Sequence, residues 1–300
     1  MKKRSTEFNI PTAAIVLFAI AWAVISLLFF LLFSVSPTDE GRPYWYSITT
    51  YVLESGAFLG AGILCLRNWR SPQIVSGRSV WLALGLGMFS FFIGNLFLGY
   101  WEIVLQKEPD VSPGDFFYIL MYLFVGAGMF LAVLSRRLTL SIAQWATIAG
   151  IGLLGSAVVY FLYAAPEETG AEAAAEAESV AEVVVPAWAL AVEAQLAPLA
   201  DIFALLYVVG DILLVIMATT LLLAFWGGRF SLSWRFIAAA AFCFYIADVW
   251  FGWAIRYIPS YQTGALPEVF WIFSAVLFAI GAALEYDLST KSRRSSRRRA

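Results

Sequence analysis

The 300-residue chain contains no histidine, only two cysteines, and few charges, 13% of its residues. Each shortage excludes something. Without histidine the chain offers no imidazole general base, no histidine phosphorelay and no histidine-ligated haem, and most zinc and copper sites lose their usual ligand. Cys65 and Cys243 form no Cys-x-x-Cys pair and no disulfide framework, so apolar packing is the reading for both. Charge this sparse cannot cover a water-facing surface on all sides, because soluble domains carry about a quarter of their residues as charges. The lysines, Lys2, Lys3, Lys107 and Lys291, all fall outside the apolar runs. That excludes an intramembrane Schiff base of the kind a retinal pigment needs. With no nucleophile–base pair or metal-ligand set recognisable, the sequence points to no enzyme, no metal and no cofactor. Charge is segregated along the chain rather than spread as one basic face, so no nucleic-acid partner is expected.

What the chain has instead is apolar residues, 61% of the total, in long runs. Runs of about 18 or more residues cross the roughly 30 Å of bilayer hydrocarbon at about 1.5 Å per residue. They fall at 11–34, 45–66, 79–100, 114–134, 141–163, 199–226, 234–256 and 267–286. The expected fold is therefore an all-α membrane protein of eight transmembrane helices, with the lipid bilayer as its first partner. No small-x-small cleavage site follows the first run before Pro37–Arg42, so it reads as a span rather than a cleavable signal.

The basic residues set the orientation. Lys2, Lys3, Arg4, Arg67, Arg70, Arg78, Arg136, Arg137, Arg229, Arg235 and the tail residues Lys291, Arg293, Arg294, Arg297, Arg298 and Arg299 all fall to one side. Only Arg42, Lys107 and Arg256 fall to the other. The positive-inside rule then puts both termini in the cytoplasm, and the expected location is a bacterial inner membrane. The tail at 287–300 should attract anionic lipid by about 1 kcal/mol per basic residue. The connection at 164–198 holds seven glutamates and no Lys or Arg. It lies on the outer side, either as a surface helix or as a disordered spacer.

The runs also repeat. Trp81 precedes Asn95 by fourteen residues, and Trp234 precedes Asp248 by fourteen. Gly94-Asn95-Leu96-Phe97 parallels Ala247-Asp248-Val249-Trp250, with Gly99 and Gly252 four residues after each polar residue. The chain reads as two parallel four-helix repeats, 1–140 and 141–286, joined at the glutamate-rich connection.

Glu54, Asn95, Asp211 and Asp248 interrupt otherwise apolar spans. An intramembrane carboxylate costs on the order of 3 kcal/mol, so such groups turn inward and find partners. All four map to the outer half or middle of the membrane, and they are the candidate ligand- or ion-binding residues. The competing account for Asn95 and Asp248 is an interhelical hydrogen bond joining the two halves. Asp115, Asp201 and Glu268 lie in the first turns of their helices, where capping explains an acid. Arg256 is the obvious cationic partner near the outer end. Glycine four residues after Asn95 and Asp248 is expected to admit another backbone beside them.

The phrases Val111-Ser112-Pro113-Gly114-Asp115-Phe116-Phe117-Tyr118 and Tyr261-Gln262-Thr263-Gly264-Ala265-Leu266-Pro267-Glu268-Val269-Phe270-Trp271 resemble the multi-spanning N-terminal membrane regions of bacterial GGDEF/EAL signalling proteins. Those regions carry Pro-Ser-x-x-Asp-x-x-Tyr and Tyr-x-x-Gly…Asp-x-x-Trp patterns. The resemblance covers roughly 79–134 and 199–286. Only about fourteen residues follow the last span, too few for a cyclase or phosphodiesterase domain. It thus implies a sensor-like membrane module, with its output supplied by a cytoplasmic protein partner. A small cation- or proton-coupled transporter and a membrane scaffold are the alternatives.

Overall fold

The computed structural model describes residues 11–35, 42–134, 140–164, 185–225, 231–258 and 261–297. Within them the chain is helical, with eight helices long and apolar enough to cross a membrane. They are α1 (Thr12–Phe33), α2 (Tyr44–Arg70), α3 (Arg78–Gly99), α4 (Pro113–Leu134), α5 (Ile142–Ala164), α6 with α7 (Ala187–Leu196 and Ala200–Ala224), α8 (Ser231–Tyr257) and α9 (Val269–Arg297). The protein is a multi-pass membrane protein.

Three elements differ from the sequence expectation. The third span runs on through a π-helical turn, Tyr100–Val104. The connection expected at 164–198 is not all loop. Its last part, α6, is helical and joins α7 through the 3-10 turn Ala197–Leu199, because Pro198 sits where a helix start tolerates a missing N–H. The tail expected from 287 continues α9 as far as Arg297, and Lys291 Nζ bonds Asp287 Oδ2 at 2.6 Å one turn back. The Ala/Glu run Gly170–Glu182 lies outside the described residues. So do Lys2, Lys3, Arg4, Arg136, Arg137, Arg229, Arg298 and Arg299.

α3 packs between α2 and α4, and α8 between α7 and α9. Contacts of α2 with α9 and of α4 with α7 close the bundle, with α1 leaning on α9 and α5 on α7. α1 is apolar all round, and it buries only Ala19, Ser26 and Phe30, as a lipid-facing helix should. Aromatic side chains of α3 and α8 meet between the two helices. There Trp81 lies 6.0 Å from Trp234, and Phe91 lies 5.6 Å from Phe244. Partners in each pair are 153 positions apart.

Close helix approach rests on small residues. A Cβ on Gly114 would meet the Gly94 carbonyl oxygen at 2.8 Å, so the start of α4 lies against α3. Gly128 faces Leu84 and the Val80 carbonyl, while Gly281 faces Ile237 and the Ser233 carbonyl, again with every residue displaced by 153.

Arg67, Arg70, Arg78, Arg235 and Lys291 gather at one end of the bundle. Asn68 Nδ2 donates to the Ala282 carbonyl at 2.8 Å there, the Arg67 guanidinium lies 4.2 Å over the Tyr286 ring, and Val75 N–H donates to Ser289 Oγ at 3.3 Å. Fully buried Glu285 sits among Ser76, Ser233 and Ser289. At the opposite end, Arg42 donates to the Gly264 carbonyl, and Thr263 Oγ1 donates to Glu102 Oε2 at 2.5 Å. α6 docks at that end too. Lys107 and Trp101 Nε1 (2.9 Å) both bond Glu193, and Ala189 packs against Trp101 and Leu105. Because the Lys107 and Glu193 side chains keep 34% and 17% exposure, solvent screens the pair. Lys107→Ala is expected to cost less than about 1 kcal/mol. A thermal melt in detergent would show it, and a larger loss would mean that α6 docking depends on the ion pair.

Candidate functional site

The polar residues that interrupt the spans come together between α2, α3, α4, α7, α8 and α9, about two to three turns in from the Arg42 end. Asp211 on α7 and Asp248 on α8 meet at Tyr122 on α4. The Tyr122 hydroxyl bonds Asp211 Oδ1 at 2.7 Å and also contacts Asp248 Oδ2. Trp271 Nε1 donates to Asp248 Oδ1 at 2.5 Å. One phenol hydroxyl has one proton, so two carboxyls bonded to it need at least one more proton among the three groups.

A second cluster sits beside the first. Tyr118 OH donates to Asn95 Oδ1 at 2.7 Å. The other end of the Asn95 amide lies beside the Glu54 carboxyl. Tyr51 and then Glu102 continue this cluster toward the mouth. The Tyr118–Asn95 and Trp271–Asp248 bonds correspond residue for residue at the 153-position displacement. One side of the site therefore holds an amide with a phenol, and the other a carboxylate with an indole.

Asn95 is 3% and Asp211 5% exposed, but Glu54, Tyr118, Asp248 and Trp271 are only half-buried. Each of these four keeps some exposed surface well in from the helix ends. Burial weighs most on these acids, and neighbouring groups come after it. Glu54 feels Glu268, Asp248 and Glu102, and Asp211 feels Asp248. Arg256, the expected cationic partner, lies in the last turn of α8.

The first-turn acids behave as caps. Asp115 Oδ2 accepts from Ser112 N–H at 2.7 Å, while its Oδ1 accepts from Tyr207 OH at 2.7 Å. Glu268 accepts from the N–H groups of Gly264 (2.6 Å) and Ala265 (3.2 Å) and from the Tyr261 hydroxyl. Burial, with the Glu268 carboxylate beside it, raises the Tyr261 phenol well above its ordinary range. Gly264 has φ +99°, a conformation suited to glycine, and its carbonyl accepts from Arg42 and from Tyr46 OH at 2.6 Å. Asp201 lies exposed in the first turn of α7, away from the cluster.

Sequence reasoning missed Tyr51, Glu102 and Tyr207 as members of the site. The signal was in the glycines. Gly94 seats the Tyr118 ring, Gly99 the Tyr51 ring and Gly210 the Tyr122 ring. The glycine four residues after Asn95 was expected to admit a backbone. It admits the Tyr51 side chain instead, and the backbone approach occurs one residue before Asn95, at Gly94.

No protein-family model matches the chain, and no curated protein or solved structure is detectably similar to it.

Proposed function

We propose that the protein is a membrane sensor that binds its ligand from the outer side, at the polar cluster around Glu54, Asn95, Asp211 and Asp248, and passes a helix shift to a cytoplasmic partner. The observation that carries this reading is that the polar network is one-sided. It runs from the Glu268 and Glu102 end as far as Asp211 and Asp248. Beyond them the core is Leu84, Met88, Met129, Leu221 and Ile237, all fully buried, closed by the Trp81–Trp234 pair. No Asp, Glu, Lys or Arg lies within 272–284 of α9, 236–247 of α8 or 79–94 of α3. A site open to one face and sealed from the other suits detection better than passage.

α9 is the element that would carry the signal. Trp271 touches Asp248 near its start, Ala282 and Glu285 lock it to Asn68 and to the Ser76 turn, and the helix ends at Arg297. Its basic end would lie at anionic lipid and the output partner. The asymmetry of Lys and Arg supports cytoplasmic termini in a bacterial inner membrane. The 153-position correspondence of contacts supports two parallel four-helix repeats about an axis between α3 and α8. The resemblance to GGDEF/EAL membrane regions agrees with a sensing role.

A carrier is the second reading, favoured by the proton that Asp211, Tyr122 and Asp248 must share. Reconstitution in liposomes with proton and sodium flux measurement separates the two. The sensor reading expects no flux above empty liposomes. Flux that Asp248→Asn abolishes would overturn it in favour of a carrier.

A further inference from the structure

We infer that a phospholipid with an anionic headgroup binds the lipid-facing side of α2 at the basic end of the bundle, with its phosphate on Arg67. The inference is independent of the sensor reading and needs only the membrane-spanning bundle. It starts from the Arg67 side chain. Arg67 lies one turn before the end of α2, and its guanidinium stands 4.2 Å over the Tyr286 ring on α9. Among the described residues, no carboxylate lies within 4 Å of it. Its Nε and Nη2 are enclosed and have no acceptor, while the residue as a whole is only half-buried, which leaves Nη1 to meet an anion. The ring orders the guanidinium but does not neutralise it, and a partly buried charge without a counterion is costly.

The face of α2 below Arg67 says what carries the anion. Gly56, Gly60, Ile63 and Arg67 follow one another at i, i+4, i+7 and i+11, a single stripe of the helix. α1 covers that stripe at Gly56, where a Cβ would stand 2.9 Å from the Trp22 ring, and Trp22 Nε1 donates to the Leu53 carbonyl at 3.0 Å. One turn nearer Arg67 the cover ends. A Cβ on Gly60 would meet nothing within 4 Å, and Ile63 is 55% exposed. In a bilayer an acyl chain meets this face. Arg67 lies about 10 Å further along the axis, near the end of the span, where headgroups begin. Arg70, Arg78, Arg235 and Lys291 gather at the same end and favour an anionic lipid over a zwitterionic one. A phosphate also suits a guanidinium, through charge-assisted hydrogen bonds. A soluble phosphate would leave the apolar stripe unused, so the occupant is a lipid.

The test uses the full chain in detergent, given equal amounts of phosphatidylglycerol and phosphatidylcholine, with native mass spectrometry reading the lipid retained. Phosphatidylglycerol should be retained about tenfold over phosphatidylcholine, the size expected of one charge-assisted hydrogen bond. Arg67→Gln should bring the ratio close to one. Lys291→Gln removes an exposed positive charge from the same end and should leave most of the selectivity. Gly60→Phe puts a ring where the acyl chain lies and no protein atom does. It should lower retention of phosphatidylglycerol while leaving the unfolding temperature in phosphatidylcholine nanodiscs unchanged. Should Arg67→Gln fail to fold, the unmodified protein and Gly60→Phe carry the test. Equal retention of the two lipids by the unmodified protein overturns the inference. So does full selectivity in Arg67→Gln, full retention in Gly60→Phe, or an equal loss in Arg67→Gln and Lys291→Gln, which would mean general surface charge. Glycerol phosphate, the soluble headgroup, should not displace the lipid at equal concentration. If it does, the apolar stripe plays no part and the assignment to a lipid fails.

Discussion

Glu268→Ala should cost about 3–5 kcal/mol of stability, the range for breaking a buried charged network by removing one partner. The carboxyl is 4% exposed and serves two backbone N–H groups and the Tyr261 hydroxyl at once. Alanine leaves all three donors unmet in a place water scarcely reaches. It also removes the acid opposite Arg42, which holds the Gly264 turn from the other side. Glu268→Gln keeps one acceptor oxygen and should lose less. Thermal unfolding in detergent, compared across the three proteins, reads the effect. Equal stability of wild type and Glu268→Ala would mean that the turn before α9 stands without its cap.

Gly210→Ala should cost about 3 kcal/mol, the upper part of the range for overpacking a filled site. A Cβ there would stand 2.5 Å from Tyr122 Cδ1 and 2.8 Å from Cγ. Those atoms lie at the root of the ring, and its far end is tied to Asp211 and Asp248, so the ring has no easy way to yield. Gly60→Ala provides the contrast. Nothing lies within 4 Å of a Cβ at that position, and alanine should stabilise α2 by about 0.5–1 kcal/mol through helix propensity alone. The pair of melts tests the geometry of the site directly. If both glycines respond alike, Tyr122 is not seated as described.

Much of the fold followed from patterns in single segments. Runs of apolar residues long enough to cross hydrocarbon make helices whatever their neighbours do, because in lipid every backbone group must be bonded within the segment. Their number was therefore readable. Their ends were less so. α6 and the extension of α9 contain enough polar residues to read as connection or tail, and it is packing of Ala189 on Trp101 and Leu105, with Glu193 bonded to Trp101, that holds α6 in place.

The site divides in the same way. Glu54, Asn95, Asp211 and Asp248 stood out because a polar group in an apolar run is costly, and that cost is a property of the residue and its depth. The caps at Asp115 and Glu268 were equally readable, since a cap and the N–H groups it serves lie within four residues of each other. The partners of the intramembrane acids were not. Tyr122 reaches Asp211 across 89 positions and Asp248 across 126, and no local pattern marks a tyrosine for that role. Arg256 looked like the cation for these acids because it lies near the outer end of its span, whereas the hydrogen bonds of Asp211 and Asp248 run to Tyr122 and Trp271.

The shortage of charge, the absence of histidine and the long apolar runs thus determined by themselves that this is a helical membrane protein with few and costly polar groups, since composition and run length act locally. Only the tertiary structure decided that those groups meet in one place among α2, α3, α4, α7, α8 and α9. Which faces turn toward one another depends on glycine-sized gaps and helix contacts between residues far apart in the chain.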